Sequence, residues 1–355
     1  MKITIAINGE GRGHFSRARA IAEIVGKSHD ITFRAPGHLA DELSELFPDN
    51  DIRRIPYFSF AQRGFRIDYR KTISSNARLF LEAPAIHRKL ADELLSEGCG
   101  MVLSDFEPFT SRAARIAGIP VLQLNHPGIV SRTADLSPAG LAAKIVAIYM
   151  MAGAKKTIIC SFFDGDVGPI IRRSLRDRKV ARGDYFVVYQ KSLYREMLAP
   201  VLGRIGEGMF RVFPDSRECY EDALAGCAGL VAPAGHQSIS EALALGKPAF
   251  VIPVKGQYEQ ELNARRLRES GFGDYAYIDG LESGLPRFIS DITRFETAIA
   301  KWKDADDGKA KGRWLCRDDT LRAVEIVERF IASCEWDRGR RMDALSAPLL
   351  ASLVP

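Results

Sequence analysis

The sequence predicts two doubly wound α/β domains, each built on a parallel sheet and facing the other across a cleft. Three observations carry this expectation. Strand-like and helix-like runs alternate along residues 1–163 and again along 184–318. A basic, glycine- and aspartate-containing stretch, 164–183, separates the two series and reads as a linker. In each series one strand runs into a small-residue turn and then a helix, and in such sheets ligands gather beyond the carboxyl ends of the strands. A length of 355 residues suits two domains.

The elements follow in order. Lys2–Ile7 is a β-branched run suited to a strand buried on both faces. Ser16–Val25 has helical spacing, with Ala18, Ile21, Ala22 and Val25 on one side. Strands are expected at 31–34, 52–55, 101–104, 120–124 and 157–161, and helices at 38–47, 76–97 (broken near Pro84) and 110–117. After the linker, strands are expected at 185–189, 209–213, 229–232, 249–253 and 275–278. Helices are expected at 194–202, 217–225, 238–245 and 259–270. Residues 319–355 form a tail with an amphipathic helix over 321–332, whose packing partner is not legible.

Composition narrows the function. The net charge is only +5, concentrated in Arg172, Arg173, Arg176, Arg178, Lys179 and Arg182. Stacking aromatics do not interleave these residues, so a solvated linker face is favoured over nucleic acid. The six cysteines show no CxxC and no zinc spacing. The apolar run 139–154 is short and interrupted by Lys144. With Lys155 and Lys156 beside it, peripheral membrane contact stays open. The expectation is a cytoplasmic protein, possible at the inner membrane face, with no nucleic-acid partner.

The first strand runs into Asn8-Gly9-Glu10-Gly11-Arg12-Gly13-His14. A dinucleotide fingerprint would need glycine where His14 stands and an acid at the end of the second strand, where Ala35-Pro36-Gly37 stands instead. The glycines still give a tight turn that aims His14 at the crevice, either as a general base or as a capping histidine. Asp105 ends a central strand on the same edge. It can hold the imidazole in one tautomer, or cap the next helix. Glu107 and His126 are candidates for the acceptor side of the crevice, as are Gly11, Arg12 and Gly13. The aromatic and arginine-rich segment 57–70 either grips an acceptor or packs as a loop.

The second turn is Pro233-Ala234-Gly235-His236-Gln237-Ser238-Ile239-Ser240-Glu241. Free N–H groups at a helix start suit a diphosphate, and Glu241, one turn in, can reach ribose hydroxyls. His236 either touches that diphosphate or is an exposed turn residue. Tyr189-Gln190-Lys191-Ser192 is a further phosphate candidate.

Gly235-x-x-Ser238-x-x-Glu241, Gly246-Lys247-Pro248, Pro253 and Gln260-x-x-Asn263-Ala264 together resemble the donor signature of GT-B glycosyltransferases. The likeness is greatest to MurG-like family 28 enzymes and more distant to family 1 UDP-glycosyltransferases, and it covers most of the chain. It implies the GT-B fold, two Rossmann-like domains facing a cleft. It implies an inverting, metal-independent transfer from a nucleotide sugar, with UDP favoured, to a hydroxyl of a cell-envelope, lipid-linked or polysaccharide acceptor. No cofactor beyond that co-substrate is implied. By position, His14 would be the base and Asp105 its orienting acid. Gly235, His236, Gln237, Ser238, Glu241, Gln257, Gln260 and Asn263 would bind the donor. Pro233 and His236 depart from family 1, which has histidine and tryptophan there. An epimerase or hydrolase on the same scaffold, or a non-catalytic sugar-nucleotide binder, remains the alternative. Asp164-Gly165-Asp166 has metal-binding DxD spacing but sits in the linker, where an acidic turn explains it.

Overall fold

The computed structural model describes residues 1–190, 194–206, 208–305 and 313–351, the side chains of 195 and 337–351 excepted. The first domain runs β1 (Lys2–Ile7), α1 (Arg12–Val25), β2 (Asp30–Ala35), α2 (Gly37–Leu46), β3 (Asp51–Arg54), α3 (Tyr69–Ser96), β4 (Met101–Asp105), α4 (Pro108–Ile116), β5 (Val121–Asn125), α5 (Pro138–Met150) and β6 (Lys156–Ile159). Its parallel sheet has the order β3-β2-β1-β4-β5-β6. A short helix, α6 (Arg173–Arg176), precedes the second domain. That domain runs β7 (Phe186–Tyr189), α7 (Arg195–Ile205), β8 (Phe210–Phe213), α8 (Tyr220–Gly226), β9 (Gly229–Pro233), α9 (His236–Ala244), β10 (Ala249–Ile252), α10 (Tyr258–Ser270), β11 (Gly273–Tyr275), α11 (Leu281–Ser290) and α12 (Ile292–Ala305), with sheet order β11-β10-β9-β7-β8. α13 (Thr320–Ala351) ends the described chain.

The strand period builds two layers around the first sheet. Ile3, Ile5 and Ile7 face α1 and α13, while Ala6 faces α3 and α4. α13 thus returns to the first domain: Ala323, Val324, Val327, Phe330 and Ile331 join Ile21 and Val25 in one core. The chain leaves that core at Ile170 and enters the core shared with the second domain at Ile171 and Leu175.

One local expectation changes, and two stretches given no element are helical. α3 runs unbroken through Pro84, which lies on the exposed side, where water can take the carbonyl that loses its N–H partner. The apolar run after Ser137 is a helix, α5, started by the Ser137 side chain accepting from Gly140 N at 3.1 Å. α11 and α12 occupy a stretch in which no helix was expected. Among the described residues no helix is long and apolar enough to cross a membrane.

The basic cluster is stapled to acids and is not a free cationic face. Arg173 meets Asp177, Arg176 meets Asp318, Arg178 meets Asp222 and Arg182 meets Glu296.

Candidate active site

Both sheets reverse their strand order at a point that opens onto one cleft of about 920 Å³. In the first domain the reversal lies between β1 and β4. Their register pairs Ile7 with Asp105, and Asn8 N donates to Asp105 O at 3.2 Å. The turn after β1 needs a glycine at Gly11, whose φ is +81°. It also brings Gly13 so close to α9 that a Cβ there would lie 3.2 Å from Gln237 Cβ. His14 is then delivered in the first turn of α1.

His14 Nδ1 lies 2.6 Å from Asp105 Oδ1, and both side chains are buried. Arg17, one turn further along α1, donates Nε to Asp105 Oδ2 at 2.8 Å and Nη2 to Oδ1 at 2.9 Å. Burial opposes ionisation of Asp105. The Arg17 guanidinium and His14 outweigh it and hold the carboxyl below its ordinary range. Sequence reasoning passed over Arg17, although its i+3 spacing from His14 places both on one helix face.

Across the cleft, Gly235 caps α9, and His236, Gln237, Ser238 and Glu241 line the wall with Gln257 and Gln260. The space in front of Gly235 is open: a Cβ there would meet nothing within 4 Å. Glu241 Oε1 accepts from Arg172 Nη1 at 2.6 Å and from Gln237 Nε2 at 3.1 Å. Burial pushes its carboxyl up, against the pull of Arg172. Arg172 also meets Glu221 at 3.2 Å and reaches Ser16 of the first domain at 3.3 Å, so it bridges the two halves. Glu259 lines the cleft as well and is raised by burial, with His14 and Arg17 opposing. Arg172, Glu259 and Tyr220 are cleft residues that the sequence did not single out, though Arg172 and Glu259 stand inside the segments read most closely. Tyr189 lines the cleft, whereas Lys191 and Ser192 lie outside the described residues.

Several expected positions turn out differently. Glu107 does not line the cleft. Its carboxylate caps α4, accepting from Phe109 N and Thr110 N at 2.7 Å each, and burial lifts it to about 7. Asn263 is also away from the cleft wall: Nδ2 donates to Ala234 O at 3.1 Å, and Oδ1 faces His126 Nε2 at 3.0 Å. Gln260 spends Oε1 on Val254 N. His126 touches the cleft but serves the seam between domains. It stacks on His236 with centroids 3.7 Å apart, and its Nδ1 faces Cys160 O at 3.2 Å. His236, only 3% exposed, is not an exposed turn residue. Its Nε2 accepts from the first domain's Phe162 N at 3.2 Å, and its Nδ1 has no partner. Arg12, on the rim, pairs with Glu42.

Away from His14, one part of the first-domain wall of the cleft is apolar. Phe58, Phe80 and Tyr149 cluster with Ile73, Ile145 and Val146. The 57–70 segment divides its work: Phe58 and Phe60 line the cleft, while Phe65 crosses to the second domain and stacks on Tyr194 at 3.8 Å. Asp166 of the DxD spacing accepts from Ile159 N and Arg132, and Asp164 faces Arg313. Among the described residues no three His, Cys, Asp or Glu side chains gather as a metal site.

A family model described as glycosyl transferase family 1 matches residues 1–292. An uncharacterized glycosyltransferase of Methanosarcina acetivorans is 46% identical over 44 residues, a match spanning 12% of this chain and 12% of that protein. Among solved structures, a UDP-glucosyltransferase from Polygonum tinctorium capable of glucosylating indoxyl has a TM-score of 0.64 at 18% identity, covering 93% of this chain and 98% of that one. Acinetobacter baumannii MurG has a TM-score of 0.57 at 14% identity, covering 92% and 99%. These structural likenesses show the fold, two Rossmann-like domains in the GT-B arrangement.

Proposed function

The chain belongs to glycosyl transferase family 1 and is a glycosyltransferase, and from that premise we propose that it transfers a sugar from a UDP-linked donor, with inversion, to a hydroxyl of a lipid-linked cell-envelope acceptor. The observation that carries this reading is the His14–Asp105 pair at 2.6 Å, facing the N-terminus of α9 across one cleft. With Nδ1–H given to Asp105, the Nε2 lone pair is the proton acceptor. His14 takes the proton of the acceptor hydroxyl. Its oxygen forms the new bond to the anomeric carbon as the carbon–oxygen bond to the diphosphate breaks, and the electron pair leaves on the diphosphate. The free N–H groups of the first turn of α9, at His236, Gln237 and Ser238, meet that charge without a metal ion or further cofactor. Glu241 takes the ribose hydroxyls, and Gln257 faces the donor.

The apolar patch formed by Phe58, Phe80, Tyr149, Ile73, Ile145 and Val146 supports an acceptor with a hydrocarbon part, and hence a transferase over a hydrolase or epimerase. The apolar lining continues onto an uncovered surface: Ile73 and Leu81 of α3 and Leu141, Ile145 and Ile148 of α5 are all exposed. Arg70, Lys71 and Lys144 lie on the same helices. A surface of that composition fits contact with an anionic membrane face.

The test incubates the protein with a panel of radiolabelled UDP-sugars, with and without a bacterial membrane-lipid extract. The expected result is label in the organic phase, dependent on lipid, with the anomeric configuration inverted by NMR. Complete turnover of a UDP-sugar without lipid would sink the transferase reading. Label passing only to water-soluble saccharide would sink the lipid-linked acceptor.

A further inference from the structure

We propose that Arg17 is a positioning residue that keeps the proton of the His14–Asp105 pair on His14 Nδ1, and so keeps Nε2 free to act. The inference rests on the reading of His14 as the base. Four distances carry it. His14 Nδ1 and Asp105 Oδ1 are 2.6 Å apart, so a hydrogen lies between them. Arg17 Nη2 donates to that same Oδ1 at 2.9 Å, while its Nε takes Oδ2 at 2.8 Å. Arg17 Nη2 also lies 3.0 Å from His14 Nδ1. With the ring hydrogen on Nδ1, both nitrogens donate to Oδ1 and their closeness reflects that shared acceptor; a bare Nδ1 would accept from Arg17 instead, which is the alternative the test below separates.

A buried carboxyl with one imidazole for company has two ways to share a proton. It can stay ionised and accept from Nδ1–H. It can instead hold the proton and donate to a bare Nδ1, which leaves the ring hydrogen on Nε2. The second state carries one more proton and has no lone pair facing the acceptor. Burial favours it, because it removes the charge. Arg17 opposes it by a bidentate, charge-assisted bridge that is much stronger to the ionised carboxylate than to the neutral acid. Arg17 is itself 3% exposed, so water does not screen the bridge. The groups facing Asp105 are His14 and Arg17 from α1, Cys160 after β6 and Glu259 from α10. Burial keeps the Cys160 thiol neutral, pushed up to about 12, so Arg17 is the fixed cation of the set.

The test reads the tautomer directly. Long-range proton–nitrogen correlation spectra are recorded on the full chain labelled with nitrogen-15 histidine, with UDP bound, between pH 7 and 9. The His14 signals are assigned by their loss in His14→Asn. The parent is expected to show Nδ1–H throughout. Arg17→Met is expected to show Nε2–H at pH 7 and to return toward Nδ1–H as the pH rises and Asp105 ionises. Arg17→Lys, which keeps one charge and is the milder change should the methionine variant not fold, is expected to stay with Nδ1–H. In the lipid-extract assay, Arg17→Met should lower the rate roughly 10–100-fold at pH 7 and recover at pH 9, with UDP affinity within about twofold of the parent. Combined with His14→Asn it should cost nothing further.

An Nε2–H parent, or an Arg17→Met protein that keeps Nδ1–H and the parent rate, would overturn the assignment. So would losses that multiply in the double variant. A fully active His14→Asn protein is a separate outcome: it removes the base reading, while the tautomer spectra still decide what Arg17 does.

Discussion

Lowering the pH from 7.5 to 5 should weaken the seam between the domains through one histidine. His126 is 1% exposed, stacked on His236 and wedged between the two sheets. Its ring nitrogens face oxygen on both sides, Cys160 O at 3.2 Å and Asn263 Oδ1 at 3.0 Å, with Glu259 Oε1 at 3.7 Å. Those acceptors favour the imidazolium. Burial and the Arg17 guanidinium favour the neutral ring, and they win: His126 is held down to about 3, from an ordinary 6.5. Its neighbour His236 is driven well below its ordinary value by burial too.

The sign follows from proton counting. Below pH 6.5 the unfolded chain protonates His126, whereas the native chain does not until about pH 3. The unfolded state therefore binds more protons in that window, so stability rises with pH there and is lost as pH falls through it. At pH 5 the loss from His126 alone is about 2 kcal/mol, growing further toward pH 3. Urea unfolding at pH 7.5, 6 and 5, followed by tryptophan fluorescence from Trp302 and Trp314, measures it. The parent should lose about 2 kcal/mol more than His126→Gln between pH 7.5 and 5. Equal losses, or a parent that gains stability at pH 5 relative to the variant, would mean that the oxygen acceptors and Glu259 hold His126 charged, and the reasoning fails.

Other outcomes follow from the same geometry. His14→Asn should lower the transfer rate by about 10²–10⁴-fold with UDP affinity unchanged, and a loss within about threefold removes it as the base. Glu241→Ala should weaken UDP and uridine alike by roughly tenfold in calorimetry, and a loss confined to UDP would assign it to phosphate instead of ribose. Glu107 sits at about 7 when folded, so its burial disfavours the native state as pH rises from about 4.5 to 7, by up to about 3 kcal/mol. Glu107→Gln should remove that part of the pH slope in urea titrations without slowing transfer, and lost activity would return Glu107 to the site. Ile145→Asp, on the uncovered face of α5, should slow transfer to the lipid extract and leave UDP binding alone, and an unaffected rate would free that face from acceptor capture.

What the sequence disclosed was whatever local chemistry decides. The strand runs are legible because β-branched residues buried on both faces leave a continuous apolar signal, and Lys2–Ile7 came out with its boundaries intact. The Gly11–His14 and Gly235–Glu241 turns are legible because positive φ and a bare helix start restrict which residues fit. Pro84 misled because the penalty of a proline depends on whether the orphaned carbonyl meets water, a matter of which side faces out. Glu107 and Asn263 misled for a related reason. A polar residue beyond the end of a strand looks alike whether it faces a ligand, a helix start or another domain. Only the fold shows that Glu107 caps α4 and that Asn263 ties His126 to the turn before α9. Arg17 and Arg172 were hidden by their surroundings, one inside an amphipathic helix and the other inside a charge run. In both positions solvation is the ordinary fate of an arginine, yet Arg17 is buried against Asp105 within the first domain and Arg172 against Glu241 of the second. The donor and acceptor halves are each written locally, while the contacts that fix their distance join residues 126 to 263, 162 to 236 and 172 to 241. Glycosyl transfer needs those halves at one separation. The residues most informative about rate, after His14 and Asp105, should therefore be the seam residues, whose importance only the assembled fold reveals.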